Sequence, residues 1–266
     1  MLGKLLKYEI KATGRIFLPL FLALLAFAVI TRIISPVGPG KWAAPAVISM
    51  IVYGIIMAGM FVMTLIMTIQ RFYKNLLTDE GYLMLTLPVK PWQHIVSKLL
   101  TSMLWMIVSI TAALISAMVI ALKAGDLTNI LSGLVTFYSQ VMEHLGAQAF
   151  LLLLEMIAVT FISLASGILL VYASITLGHL FSKHKVLATF GAFIALSTLS
   201  QIFFTLISLS PIGSYFVHHP FSSSSLFGVQ TGFQLAAILG IIFNGLLSAA
   251  YFAITNTILS KRLNLE

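Results

Sequence analysis

Six stretches of about twenty or more mostly apolar residues dominate the sequence, at 16–35, 43–69, 99–122, 147–177, 186–209 and 234–259. A helix of about 20 apolar residues crosses the hydrocarbon core of a bilayer, so each run is a candidate transmembrane span. The first is long and five more follow, so it reads as a span and not as a cleavable signal peptide. Only 8% of the residues are charged while 60% are apolar. A soluble globule has about 25% charged residues, and this chain cannot cover a water-facing surface. A soluble enzyme, a disordered chain and a coiled coil are excluded on that ground. The expected fold class is all-α, a polytopic membrane protein forming a single transmembrane domain over 1–266.

Charge sets the topology. The connections that would share one side carry Lys4, Lys7, Lys11, Arg15, Arg71, Lys74, Lys90, Lys98, Lys183, Lys185, Lys261 and Arg262, twelve in all. The other side has three, Arg32, Lys41 and Lys123. Basic residues concentrate on the cytoplasmic side, so both termini are expected inside and the number of spans is even. In a chain this apolar, the net charge of +8 reports topology and not a nucleic-acid partner. Arg32, within a turn of its span's end, is expected to snorkel towards water.

The connections have their own patterns. Residues 1–15 place Leu2, Leu5, Leu6, Ile10 and Thr13 on one helical face and the four basic residues on another. This predicts an amphipathic helix lying in the headgroup layer before the first span. The segment 70–98 is too long for a simple tether. Asp79 can cap a short helix, Gly81 permits a tight turn, Pro88 ends the helix and Pro91 suits the first turn of the next. The result is an acid-tipped cytoplasmic helix suited to docking a partner. On the outer side, 123–148 places Leu127, Ile130, Leu131, Leu134, Tyr138, Val141, Met142 and Leu145 on one face of a surface helix. The uncharged segment 210–233, broken by Pro211, Gly213, Pro220, Gly228 and Gly232, is expected to re-enter the membrane as a hairpin.

No catalytic constellation is legible. The Gly3–Lys4 and Gly40–Lys41 pairs lack the rest of a P-loop, so the chain is not expected to hydrolyse ATP itself. His-Glu-x-x-His and Gly-x-Ser-x-Gly are absent, and no aspartate pair sits in adjacent spans. The chain has no cysteine, which excludes disulfides, thiol catalysis and Cys-ligated metal. His218 and His219 read as loop polar residues, and no metal site is expected. His179, Lys183, His184 and Lys185 form a short basic connection that anchors topology. Glu155 stands well inside a predicted span, where a carboxylate is costly and by default a functional candidate. It either lines a translocation path or is paired, protonated or open to a water-filled vestibule. Small residues four apart, Gly54/Ala58, Ser163/Gly167 and Gly245/Ala249, permit close helix contact within the bundle or between copies.

Three segments carry a resemblance. LLKYEIKATGR near the N-terminus, FYKNLLTDEGYLMLTLPVKPWQHIVSKLL after the second span and LGHLFSKHKVLATFGAF before the fifth resemble bacterial ABC-2-type transporter permeases, chiefly the small permeases of Firmicutes. The most specific piece is Glu80-Gly81, then Leu87-Pro88, then Lys98 opening the third span. In that family Glu-x-Gly is common where this chain has Asp79-Glu80-Gly81. The resemblance extends over essentially the whole chain. It implies six spans, an N-terminal connecting helix, a coupling helix between spans two and three, and re-entrant external helices before span six. It also implies a plasma-membrane exporter that works with a second permease copy or paralogue and with separate ATPase subunits, on which ATP and Mg would bind. Leu76, Asp79, Glu80, Gly81, Tyr82, Leu83, Leu87 and Pro88 would then contact the ATPase subunit. Independently of the resemblance, Glu155, Ser163 and Gly167 are the candidates for a translocation path or dimer interface. The rival readings are an ion-coupled secondary transporter and a membrane immunity protein without transport.

Overall fold

In the computed structural model, the described residues are 2–34, 43–77, 90–122, 126–146, 148–181, 183–210 and 226–261. Among them are seven helices and no strand. They are α1 (Leu2–Ile34), α2 (Ala43–Leu77), α3 (Pro91–Ala121), α4 (Asp126–Leu145), α5 (Gln148–Gly178), α6 (Lys185–Leu209) and α7 (Leu226–Lys261). Six of the seven, all but α4, are long and apolar enough to cross a bilayer, one for each predicted run. The architecture is that of an all-α, multi-pass membrane protein.

Most of the helices are longer than the apolar runs. α1 continues without a break through Arg15 and even through Pro19, so the expected interfacial helix and first span are one helix. At 33 residues it is about 50 Å long, well beyond the roughly 30 Å hydrocarbon core. α2 runs on to Leu77, and α3 begins at Pro91 after an extended Lys90, with proline at the first turn as expected. The connection predicted over 70–98 therefore gives up about two turns at each end to helix. Its centre, 78–89, lies outside the described residues. Of the predicted hairpin, 211–225 also lies outside them, and from Leu226 the chain is already α7. The helix predicted over 123–148 is α4, in which Leu131, Leu134 and Tyr138 are exposed.

The chain divides into two compact units, Met1–Ser132 and Gly133–Glu266. In the first unit, α1 and α3 run the same way: Glu9 pairs with Lys98 near one end, and Arg32 bonds the Val119 carbonyl near the other. α2 runs against both, with Thr31 on the Ser49 carbonyl, Tyr53 on Ser116 and Thr64 on Ser109. This alternation is the one that successive spans require. Buried residues on α1 recur three or four apart: Glu9, Thr13, Phe17, Phe21, Leu24, Ala28 and Thr31. Such spacing keeps one helical face turned to its neighbours. Phe17 stacks on Trp105 of α3 with ring centres 4.7 Å apart. Arg32, expected to snorkel, instead donates to the Val119 carbonyl, a backbone acceptor on a neighbouring helix.

In the second unit α5 packs on both α6 and α7. A side chain at Gly240 of α7 would meet Val159 of α5 at 3.9 Å. Phe204 of α6 lies against Phe243 of α7, with centres 5.7 Å apart. Gly178 is indispensable where α5 turns towards α6: a Cβ there would stand 2.6 Å from the Thr189 backbone. The turn closes through His184, held in the left-handed region at φ 58°. α6 has no buried residue of its own, so it contributes little core.

Candidate functional site: a buried ion pair at one end of the first unit

Three helices of the first unit bring charge together in its interior. α1 supplies Glu9 and Thr13, α2 supplies Arg71 and Asn75, and α3 supplies Lys98 and Trp105. The Lys98 ammonium donates to Glu9 Oε1 at 2.7 Å, and Asn75 Nδ2 reaches the same oxygen at 3.4 Å. Arg71 Nη1 stands 3.8 Å from Glu9 Oε2, within coulombic range and beyond a hydrogen bond. Lys98 is 3% exposed and Glu9 8%, so this pair is a buried one. One turn along α1, Thr13 Oγ1 donates to the Glu9 carbonyl and accepts from Trp105 Nε1, each at 2.7 Å. Trp105 thus ties the backbone that holds Glu9 to the helix that carries Lys98.

A cavity of about 20 Å³, room for a single water, lies among Glu9, Thr13, Arg71, Lys98, Thr101 and Trp105. His94, one turn before Lys98 on the same face, is buried as well. The three charged groups carry one negative charge against two positive. The arrangement clamps the start of α1, the end of α2 and the start of α3, and leaves Arg71 the most exposed of the three charged groups, at 27% of its side chain.

Sequence reasoning missed this site. It took Glu155 as the one carboxylate deep in a span, gave Glu9 no role within the expected interfacial helix 1–15 and counted Arg71 and Lys98 only as topology signals. The signal was present: Glu9 is the lone acid among the first fifteen residues, and it leads the Thr13, Phe17, Phe21 stripe at four-residue steps.

The predicted site residues fall differently. Leu76 is buried in the last turn of α2. Asp79, Glu80, Gly81, Tyr82, Leu83, Leu87 and Pro88 lie outside the described residues. Glu155, Ser163 and Gly167 all lie on α5, but not on one face. At about 100° per residue Glu155 aligns with buried Ser166, whereas Ser163 and Gly167 stand about 80° and 120° round the helix and are exposed. Glu155 is half-buried, and its Oε2 is buried without a hydrogen-bond partner. His179, just beyond α5, has its pKa pulled below the usual 6.5, first by burial and then by the charge of Lys185.

Fold and charge placement together define a multi-pass helical membrane protein with an ion pair buried inside its N-terminal three-helix unit. No protein-family model, no curated protein and no solved structure matches the chain.

Proposed function

We propose that the chain is the permease subunit of an ABC-2-type ATP-binding-cassette exporter in a bacterial plasma membrane, with both termini cytoplasmic. A separate ATPase subunit supplies the energy, and a second permease copy or paralogue completes the translocation unit. The resemblance of the three quoted segments to that family carries the reading. The six apolar helices and the twelve-to-three basic bias are what such a subunit requires.

The buried ion pair supports it mechanically. The end of α2 and the start of α3, which the connection 78–89 joins, carry Arg71, Asn75 and Lys98, gathered on Glu9 of α1. A push on that connection is therefore received by three helices as one body. ATP-driven closure of the partner biases the permease between inward-open and outward-open states through its differential affinity for them.

The test is affinity capture of the tagged chain from its native membrane. A co-purifying P-loop ATPase is expected, and Glu80→Lys should release it while membrane insertion stays intact. Failure of the wild-type chain to retain any P-loop protein would overturn the reading.

An ion-coupled carrier is the second reading, favoured by the partnerless Oε2 of Glu155. In that case transport follows a proton gradient without nucleotide, and Glu155→Gln abolishes it.

A further inference from the structure

A second, larger hollow opens on the outer flank of the ion pair. It is a groove of about 290 Å³ between α1 and α2, lined by Ile16, Met67, Gln70, Arg71, Lys74 and Asn75. Arg71 and Asn75 line it and also meet Glu9, so the groove and the buried cluster share a wall.

Two properties of the groove point to one class of ligand. The first is charge. Glu9 is already engaged by Lys98 at 2.7 Å and stays 3.8 Å from Arg71, so the Arg71 guanidinium keeps hydrogen-bond donors for another acceptor. Among the described residues, one positive charge of the cluster has no acidic counterpart, and Arg71, which carries it, lines the groove. A planar guanidinium with its fork of donors matches a phosphate bidentately. The second property is polarity along the groove. Ile16 opens the apolar run of α1 and Met67 lies in the last turns of that of α2, while Gln70, Arg71, Lys74 and Asn75 follow within two turns. From Met67 to Lys74 is about 10 Å along a helix, which spans the passage from hydrocarbon to headgroup. A soluble anion would have no use for the apolar half.

We propose that this groove binds the phosphate headgroup of an anionic phospholipid, with Arg71 on the phosphate and the first methylenes of the acyl chains against Ile16 and Met67. The lipid supplies the negative charge that the Glu9–Lys98–Arg71 cluster lacks. It thereby joins the bilayer to the clamp on α1, α2 and α3. The site stands independently of the transport reading, because it needs only the first unit and a membrane.

Native mass spectrometry of the purified full chain in mild detergent tests it, with titration of phosphatidylglycerol, phosphatidylcholine and, separately, soluble glycerol 3-phosphate. Phosphatidylglycerol should bind in preference to phosphatidylcholine. Arg71→Gln should weaken that binding about fivefold and erase the preference, as expected for one cation at a lipid surface. Arg71→Lys should restore most of it, and Lys11→Gln, an equal charge loss on the exposed face of α1, should leave it unchanged. Lys74→Gln lowers the same affinity without touching the buried pair, so the proposal remains testable if Arg71→Gln misfolds. Equal binding of the two lipids, or phosphatidylglycerol binding unaltered in both Arg71→Gln and Lys74→Gln, would overturn it. Displacement of the lipid by glycerol 3-phosphate at comparable concentration would overturn it too, by showing a site for a soluble anion.

Discussion

Glu9→Gln removes a charge and almost no volume, which makes it the sharpest probe of the buried cluster. In the wild type Lys98 is 3% exposed and its ammonium lies 2.7 Å from Glu9 Oε1. An exposed pair would contribute about 0–1 kcal/mol, but breaking a buried pair from one side strands a charge and costs about 3–5 kcal/mol. Among the described residues Glu9→Gln leaves buried Lys98 without an acidic partner, so a loss within that range is expected. Lys98→Met is milder, because Glu9 keeps Asn75 at 3.4 Å and Arg71 at 3.8 Å. The loss of one hydrogen bond to a charged group puts it at about 1.5–3 kcal/mol. The Glu9→Gln/Lys98→Met double variant removes the stranded ammonium and should be at least about 1 kcal/mol more stable than Glu9→Gln alone. Reversible denaturation in mild detergent, followed by tryptophan fluorescence, measures all three. Trp105, one of three tryptophans, lines the same cavity two turns beyond Lys98, so part of the signal comes from the site. A Glu9→Gln variant within about 1 kcal/mol of wild type, or a double variant whose losses simply add, would refute the assignment of a buried, mutually dependent pair.

Three further outcomes follow from individual contacts. Trp105→Phe keeps a ring against Phe17 but removes the 2.7 Å bond to Thr13, so thermal denaturation should register a loss of about 1–2 kcal/mol; an unchanged midpoint would mean that bond is dispensable. Gly178→Ala drives a methyl to within 2.6 Å of the Thr189 backbone and should cost about 1–3 kcal/mol. Gly167→Ala, with open space around its Cβ, should be neutral or slightly stabilising in the isolated chain, and equal losses at both sites would refute the close approach. His179 has its pKa lowered, so the unfolded chain binds more protons there. Its contribution to stability is complete above about pH 6.5 and is lost as pH falls below that value, so His179→Gln should shrink the difference between melting points at pH 7.5 and pH 5.5.

The existence of six spans was legible because twenty apolar residues in a row have few other uses in a protein. Their ends were not, and the reason is specific. Arg71 and Lys98 look like residues that must stop a membrane helix, but a helix continues past a charge whose partner sits on the neighbouring helix. Glu9 was misplaced for the same reason. Four basic residues around it made 1–15 look like an interfacial amphipathic helix, and the one acid among them carried the tertiary information. Arg32 shows the same limit. Its position within a turn of the span's end was legible, but its acceptor, the Val119 carbonyl, is 87 residues away in sequence. Glu155 was correctly read as lying in a span, and its alignment with Ser166 and not with Ser163 follows from helical periodicity once burial is known.

The positions of the polar contacts in the first unit explain why an ion pair is placed where it is. Helices surrounded by lipid gain little from apolar burial against one another, so interhelical hydrogen bonds and close packing must hold them. Along this unit Thr31–Ser49, Tyr53–Ser116 and Thr64–Ser109 link α2 to its neighbours at successive levels. Arg32–Val119 and Thr13–Trp105 link α1 to α3. A bond of the hydroxyl kind contributes on average about 0.6 kcal/mol between membrane helices. No single one of them fixes the register of three helices. The Glu9 cluster differs because α1, α2 and α3 all contribute to one set of charges, and any helix that slides by a turn strands a charge at a cost of several kcal/mol. The cluster therefore specifies register where the hydroxyl pairs add only stability. It does so at the end where α2 finishes and α3 begins.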